Sequence, residues 1–291
     1  MAEQRWAEIE VAASGDAAQE ATGAVMTEVV GAAGYAVSAL AVTAYLPVDE
    51  RLENTLLTLK GALHEIKRVH KIPGSSDEIT VRFVAEEDWA TAWKQYFKPQ
   101  KIGERFVVKP TWEEYAAAPN DVVIQIDPGM AFGTGLHATT RLCLLGLERH
   151  LFPGATVTDV GTGSGILAVG AILLGAASAV AVDNDPLAVR IAQENVDLNG
   201  VADRVRVYEA AEPPPGAYDF VVANILAHVI IALSAGLFQA TKPGGMLIAS
   251  GILAGPSAEQ VAKHLTAIGY TEAEIVAEGE WASVVARRPA G

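Results

Sequence analysis

The stretch "VTDVGTGSGILAV", residues 157–169, decides the fold. An apolar strand runs into a turn that contains Gly161, Gly163 and Gly165, and an apolar helix follows directly. Turns of this kind bind nucleotides at the carboxyl ends of the strands in open α/β sheets. We therefore predict an open α/β sheet that binds a cofactor at this turn.

The turn differs from two other nucleotide-binding loops. A phosphate-binding P-loop needs a lysine followed by Ser or Thr, and this turn has neither. A dinucleotide fingerprint needs a third glycine at its sixth position, where this chain has Ile166. Asp159, just before the turn, would repel a pyrophosphate and attract a cation, an effect of up to about 4 kcal/mol at 4 Å. S-adenosyl-L-methionine, which carries an ammonium and a sulfonium, suits this turn better than a nicotinamide dinucleotide.

A second acid supports a ribosyl cofactor. Asp183 ends the next predicted strand, about twenty residues after Gly161. A carboxylate at this spacing accepts hydrogen bonds from ribose hydroxyls. The acid therefore predicts a bound nucleoside without choosing between cofactors.

The chain is organised in two parts. From about residue 141, near-continuous apolar strands alternate with helices, which predicts a parallel sheet covered on both faces. Near the end, "EAEIVAEGEWASVVARR" contains two strand-like runs with no helix between them, so we expect the last strand to be antiparallel. Residues 5–84 have the order β-α-β-β-α-β, which is typical of a ferredoxin-like α+β domain.

We accordingly expect a ferredoxin-like domain over residues 1–86, a helical and aromatic linker over 87–115, and a cofactor-binding domain over 116–291. In the linker, Trp89, Trp93 and Phe97 recur at helical spacing before Pro99. We interpret them as a packed connector rather than as a stacking platform for nucleic acid.

Composition narrows the functional classes. The chain has 291 residues, a formal net charge of −14 and a single cysteine. An acidic surface disfavours direct nucleic-acid binding and favours a basic partner, although it could serve solubility alone. No apolar run is long enough for a membrane helix, and we expect a cytoplasmic monomer without a metal site. Cys143 lies on an apolar helix face and is interpreted as a core residue, not as a nucleophile.

These motifs together resemble a known family. "DPGMAFGTGLHATT" (127–140), "DVGTGSGILA" (159–168), "VVANIL" (221–226), "SGIL" and "EGEW" are similar to the class I S-adenosylmethionine-dependent methyltransferases, and specifically to the methyltransferases of large-subunit ribosomal protein eleven. The resemblance is dense from residue 88 onward and rests on element order in the first 85 residues. It implies a Rossmann-like seven-stranded sheet of order 3-2-1-4-5-7-6 with an antiparallel seventh strand.

The resemblance also implies the residues of the site. Its cofactor contacts fall on Thr140, Gly161, Asp183 and Asn224, with Gly163 in the same turn. A helix N-cap is the alternative role for Thr140, and a turn residue is the alternative for Asn224.

Other residues of this region receive weaker roles. We expect His137 to position the cofactor or shape the pocket rather than to act as a general base, and Phe132 is a candidate pocket wall. No residue is predicted to be catalytic.

The implied activity is N-methylation of the α-amine and lysine side chains of that ribosomal protein, recognised by the N-terminal domain. At pH 7 an α-amine of pKa near 7.8 needs only about 1 kcal/mol to become neutral, whereas a lysine needs about 4.6 kcal/mol. The alternatives are a lysine methyltransferase for another basic protein, a nicotinamide-dependent oxidoreductase, and a non-catalytic cofactor-binding or ribosome-associated module.

Overall fold

The computed structural model describes residues 6–30, 32, 35–48, 51–84, 98–126 and 137–290. Tertiary contacts divide the chain into two compact units. The described residues up to Lys98 form the first unit, and those from Pro99 onward form the second. In the described residues, no helix is both long and apolar enough to cross a membrane.

The first unit is an antiparallel sheet with two helices. Its elements are β1 Trp6–Ala13, α1 Asp16–Ala24, β2 Tyr35–Val37, β3 Ala41–Pro47, α2 Leu52–Glu65 and β4 Ser75–Val84. The strands lie in the order β2-β3-β1-β4, and every neighbouring pair is antiparallel. Buried and half-buried residues alternate along β1, so that one face of the sheet covers the core. The predicted ferredoxin-like order is therefore confirmed.

A small sheet opens the second unit. It consists of β5 Gln100–Ile102, β6 Phe106–Lys109 and β7 Val122–Gln125. β5 is antiparallel to β6, and β6 is parallel to β7. Phe106 and Val108 are buried in the large core of this unit.

Strands β5 and β6 lie within residues 87–115, the range for which the sequence predicted a linker. Phe106, Val107 and Val108 form a strand because their apolar side chains become buried when β6 pairs with β7, which comes later in the sequence. The predicted helix with Trp89, Trp93 and Phe97 lies outside the described residues.

The rest of the second unit is a seven-stranded sheet flanked by helices. Its strands are β8 Thr156–Val160, β9 Ser178–Asp183, β10 Val205–Glu209, β11 Tyr218–Asn224, β12 Thr241–Leu253, β13 Thr271–Glu278 and β14 Trp281–Arg287. Its helices are α3 Ala138–His150, α4 Ile166–Leu174, α5 Pro186–Leu198, α6 Ala227–Ala240 and α7 Pro256–Ala267.

The strand order is β10-β9-β8-β11-β12-β14-β13, with β14 antiparallel to both of its neighbours. In order of appearance within this sheet, that is 3-2-1-4-5-7-6, so the predicted order and the antiparallel last strand are confirmed. Apolar clusters cover both faces of the sheet. Helices α3 and α4 contribute to one cluster, and helices α6 and α7 to the other.

This topology brings several chain segments to one edge. Strands β8, β9, β11 and β12 are parallel and end at the same edge of the sheet, and the antiparallel β14 begins there. The glycine turn, Asp183 and Asn224 consequently lie along this carboxyl edge.

Candidate active site

The glycine turn connects β8 to α4 through backbone that favours glycine. Gly161, Gly163 and Gly165 have φ angles of 73°, 54° and 81°. The backbone N–H groups of Gly161 and Thr162 both donate to the carbonyl of Val182, at 2.9 Å each. A Cβ on Gly161 would collide with the side chain of Ile225. The turn is thus fixed between β9 and the segment that follows β11.

Asp183 binds the backbone of this turn. Its Oδ2 accepts a hydrogen bond from Gly163 N at 2.9 Å, and its Oδ1 accepts one from Asp185 N at 3.0 Å. The residue is half-buried at the end of β9. Each carboxylate oxygen can accept more than one bond, so the oriented carboxylate can still accept bonds from vicinal hydroxyls.

Asp159 lies one residue before the end of β8 and is fully buried. Its Oδ2 accepts a bond from the Thr162 hydroxyl at 2.6 Å, while its Oδ1 has no partner among the described residues. Burial raises the pKa of Asp159 to about 7. The Thr162 hydroxyl and the backbone of Ala168 oppose this increase, and the Asp183 carboxylate adds to it. A cation at Oδ1 would stabilise the charged form of this group.

Asn224 and Thr140 meet although they are far apart in sequence. Asn224 ends β11, and its Nδ2 lies 3.2 Å from Oγ1 of Thr140 in the first turn of α3. Thr140 is completely buried, and Oδ1 of Asn224 is buried without a partner in the described chain.

His137, not Thr140, is the N-cap of α3. Its ring Nδ1 accepts a bond from Thr139 N at 3.4 Å and lies 2.8 Å from the Thr139 hydroxyl. The N-cap role considered for Thr140 is therefore wrong, because the helix begins two residues earlier, at Ala138. Burial lowers the pKa of His137.

Trp281, which was not among the predicted site residues, also lies at this edge. Its ring packs edge-on against the His137 ring, with centroids 4.9 Å apart. Its indole Nε1 is buried without a hydrogen-bond partner among the described residues. The motif "EGEW" was the signal that could have identified it, whereas nothing in the sequence marked the contact between Ile225 and the turn.

Cys143 and Phe132 are two further residues of this region with predicted roles. Cys143 is completely buried in the core of the second unit, and burial raises the pKa of its thiol, so its core role is confirmed. Phe132, the candidate pocket wall, lies outside the described residues, as does the rest of the loop 127–136.

The strand order, together with a glycine turn after the first strand of the sheet, defines the chain as a class I methyltransferase by fold. The family model described as ribosomal protein L11 methyltransferase (PrmA) matches residues 5–289. This chain belongs to that family.

Individual relatives agree with this assignment. The ribosomal protein L11 methyltransferase of Pelotomaculum thermopropionicum is 49% identical over 248 residues, which cover 84% of this chain and 79% of the relative. That of Chloroflexus aurantiacus is 44% identical over 271 residues, covering 84% and 81%. A crystal structure of the ribosomal protein L11 methylase of Lactobacillus delbrueckii subsp. bulgaricus matches with a TM-score of 0.59 and 31% identity, over 67% of this chain and 99% of that one.

Proposed function

We propose that this chain transfers methyl groups from S-adenosyl-L-methionine to amines of ribosomal protein L11, namely its α-amine and lysine side chains. The names of its relatives support the substrate. One observation on the site carries the chemistry: the half-buried Asp183 carboxylate, bound to the glycine turn, lies near the fully buried carboxylate of Asp159, whose Oδ1 has no partner among the described residues.

The residues of the turn fit this cofactor. Asp183 would accept bonds from its ribose hydroxyls, and Oδ1 of Asp159 would take its ammonium group. Gly161 and Gly163 have no side chains, so the ligand can approach their backbone closely. Two carboxylates at one turn disfavour a pyrophosphate, which counts against the oxidoreductase alternative. When bound, the cofactor supplies a methyl group that its sulfonium already activates.

The protein must then align a neutral amine with that methyl group. Alignment of this kind supplies several kcal/mol of the barrier, and no protein nucleophile is required. Oδ1 of Asn224, which is buried without a partner among the described residues, can accept a bond from the amine. Leu226 and Leu253, which are 57% and 54% exposed after β11 and at the end of β12, provide apolar surface for the methylene groups of a lysine.

Substrate recognition is the role we propose for the N-terminal domain, residues 1–86. With a net charge of −14, the chain would attract a basic ribosomal protein and repel the phosphates of ribosomal RNA. We propose that the enzyme acts in the cytoplasm as a monomer.

The test is incubation of the full chain with methyl-labelled S-adenosyl-L-methionine and purified L11, followed by mass spectrometry of L11. We expect label on the α-amine and on lysines, and less label on an unrelated basic protein of similar charge. Absence of label from both classes of amine would refute the proposal. Calorimetry with S-adenosylhomocysteine and with NAD separately tests the cofactor, and binding of NAD alone would favour the oxidoreductase.

A further inference from the structure

Two exposed leucines lie at the carboxyl edge of the sheet, beside the residue that we expect to accept a bond from the amine. Leu226 is 57% exposed and comes two residues after Asn224, which ends β11. Leu253 is 54% exposed and ends β12, the strand next to β11. Exposed leucines that occur singly are normal, whereas neighbouring ones beside a candidate site mark a surface for a ligand.

The backbone brings these two leucines together. Ile225 N donates to the carbonyl of Ser250 at 3.1 Å, so the chain after β11 remains bonded to β12. Gly251 has a φ angle of 83°, and a Cβ at this position would collide with the carbonyl oxygen of Ile225. Only glycine permits this close approach, which places the segment of Leu226 against that of Leu253. We call the two side chains the leucine rim.

Polar groups flank the leucine rim at both ends. At the inner end, Oδ1 of Asn224 is buried and has no partner among the described residues. At the outer end is Glu280, an exposed residue whose carbonyl accepts a bond from Ala254 N at 2.8 Å. An apolar strip between an acceptor and an acid, in a chain of net charge −14, fits a cation with an apolar stem.

The leucine rim has the length of a lysine side chain. Leu226 lies within about 7 Å of Asn224, measured between Cα atoms, because two residues span no more than that. The four methylene groups of a lysine extend about 6 Å from Cα to Nζ at ordinary bond lengths. When the lysine nitrogen bonds to Oδ1 of Asn224, its methylene groups therefore lie over the leucines.

An α-amine would place different groups on the leucine rim. Its nitrogen is one bond from Cα, so the first peptide groups of the substrate would lie over the leucines. These peptide groups would lose hydrogen bonds to water, and leucine side chains offer none in return. A lysine is also harder to neutralise at pH 7 than an α-amine, so a surface that binds only the lysine stem offsets part of that disadvantage.

We propose that the leucine rim is a subsite for the methylene groups of a lysine, and that it favours lysines over the α-amine. This inference rests on the proposed function and deepens it, because it assigns the choice between the two classes of amine to Leu226 and Leu253.

The experiment compares Leu226→Ala and Leu253→Ala with Leu198→Ala in the full chain. Leu198, at the end of α5, is 39% exposed and serves as the control for the loss of an exposed leucine. Mass spectrometry follows the initial rates of methylation at the α-amine and at the lysines of L11. We expect each rim substitution to lower kcat/KM for lysines about 3- to 10-fold and to leave that for the α-amine within about 2-fold. Leu198→Ala should change neither.

Two further variants test the chemistry of the leucine rim. Leu253→Met keeps an apolar side chain of similar volume, so its kcat/KM for lysines should stay within about 2-fold of the original chain. Leu253→Gln has a similar length but is polar, and it should lower this value as much as Leu253→Ala does. Calorimetry should give a Kd for S-adenosylhomocysteine within about 3-fold in every variant. If the Kd rises as much as kcat/KM for lysines falls, the rim binds the cofactor and the inference is wrong.

The pattern of label decides between the remaining outcomes. Equal losses for both classes of amine, full lysine activity in both rim variants, or the same loss in Leu198→Ala would each refute the inference. If the unaltered chain labels only the α-amine, no lysine uses the rim and the inference is wrong. If it labels only lysines, a loss in Leu253→Ala together with its rescue in Leu253→Met supports the subsite. Failure of the unaltered chain to label L11 at all would instead refute the proposed function.

Discussion

The candidate site has two sides that differ in how their polar atoms are bonded. On the ribose side, formed by Gly161, Gly163 and Asp183, the carboxylate accepts two backbone N–H groups and the turn is bonded to β9. The other side is formed by Thr140, Asp159, Asn224 and Trp281, and we call it the amine side because we propose that it binds the cofactor's ammonium group and the substrate amine. Three buried polar atoms on this side have no partner among the described residues: Oδ1 of Asp159, Oδ1 of Asn224 and Nε1 of Trp281.

The difference shows that one sheet edge can contain both polar groups that the protein itself fixes and polar groups that are left to pair with a ligand. A polar group that is hydrogen-bonded to the backbone has a fixed geometry, and its burial reduces the stability of the folded chain only slightly. A buried group without a partner costs stability, and a ligand that pairs with it recovers that cost. We therefore expect the ribose side to be preformed, and a bound ligand to recover more stability on the amine side than on the ribose side.

The largest expected effect is on the free energy of unfolding, which the buried carboxylate of Asp159 should lower once it is charged. Its pKa is about 7 in the folded chain and near 3.8 when unfolded, so the folded state holds the proton more tightly. The resulting stability is fully present below about pH 4 and is lost as the pH rises through about 7. Between these limits, the free energy of unfolding of the original chain should fall relative to that of Asp159→Asn by about 4 kcal/mol. Denaturant titrations across this pH range measure it.

Asp121→Asn is the control, since Lys101 and Tyr115 lower the pKa of that carboxyl to about 2. The stability that Asp121 contributes is present above about pH 4 and is lost as the pH falls toward 2, so this substitution should add no slope between pH 4 and 7. If the free energy of unfolding had the same pH dependence in the original chain and in Asp159→Asn, the proposed cost of the buried Asp159 carboxylate would be wrong.

A second substitution tests the ribose side. Asp183→Ala should raise the Kd for S-adenosylhomocysteine about 100-fold or more, because two bonds from hydroxyls to a carboxylate are lost. Calorimetry measures the change. Asp185→Ala is the matched control: this acid caps α5 through a 2.8 Å bond from Leu187 N. Its loss should reduce stability by about 1 kcal/mol while the Kd stays within about 3-fold. Unchanged affinity in Asp183→Ala would refute the ribose assignment.

Gly161→Ala tests whether the turn is fixed by its surroundings or only by its own backbone. The substitution adds a Cβ at φ 73° that collides with Ile225, so we expect the free energy of unfolding to fall by about 2 kcal/mol. Gly200→Ala has a similar φ of 66° with open space around the new Cβ, and it should cost only about 1 kcal/mol. Equal costs in chemical denaturation would show that the contact with Ile225 does not restrict the turn.

The smallest effect concerns Trp281. Trp281→Phe keeps an aromatic ring beside His137 and removes an unpaired buried N–H. The lost packing and the removed unpaired donor oppose each other, so the free energy of unfolding should change by less than about 1 kcal/mol. A loss above about 2 kcal/mol in thermal unfolding would mean that the indole N–H does stabilise the folded chain.

The two sides also differ in how far the sequence predicts them. Spacing alone predicted the glycine turn and the acid at Asp183, because the turn follows one strand of a parallel sheet and Asp183 ends the next strand along the chain. Pairing of Thr140 with Asn224 depends on the order of strands in space, which local patterns do not encode; only the resemblance to a family placed both at one site.

Other features could not be predicted from the sequence, and each has a physical reason. Strands β5 and β6 have only three and four residues, so their periodicity is too short to distinguish them from a linker. Trp281 begins a strand, and it reaches the carboxyl edge only because β14 runs antiparallel to its neighbours. The unpartnered oxygen of Asp159 depends on burial that the packed helices produce.

The separation of the amine-side residues in sequence bears on the order of folding. Gly163 and Asp183 are 20 residues apart, whereas Asn224 is 84 residues from Thr140 and His137 contacts Trp281 in the last strand. Contacts between distant residues require closure of long loops and form later. During synthesis, the glycine turn and Asp183 can come together once β8 and β9 have emerged. The contact between Thr140 and Asn224 also needs β11, and the contact between His137 and Trp281 needs β14. The part of the candidate site around Trp281 is therefore completed only after β14 has been synthesised.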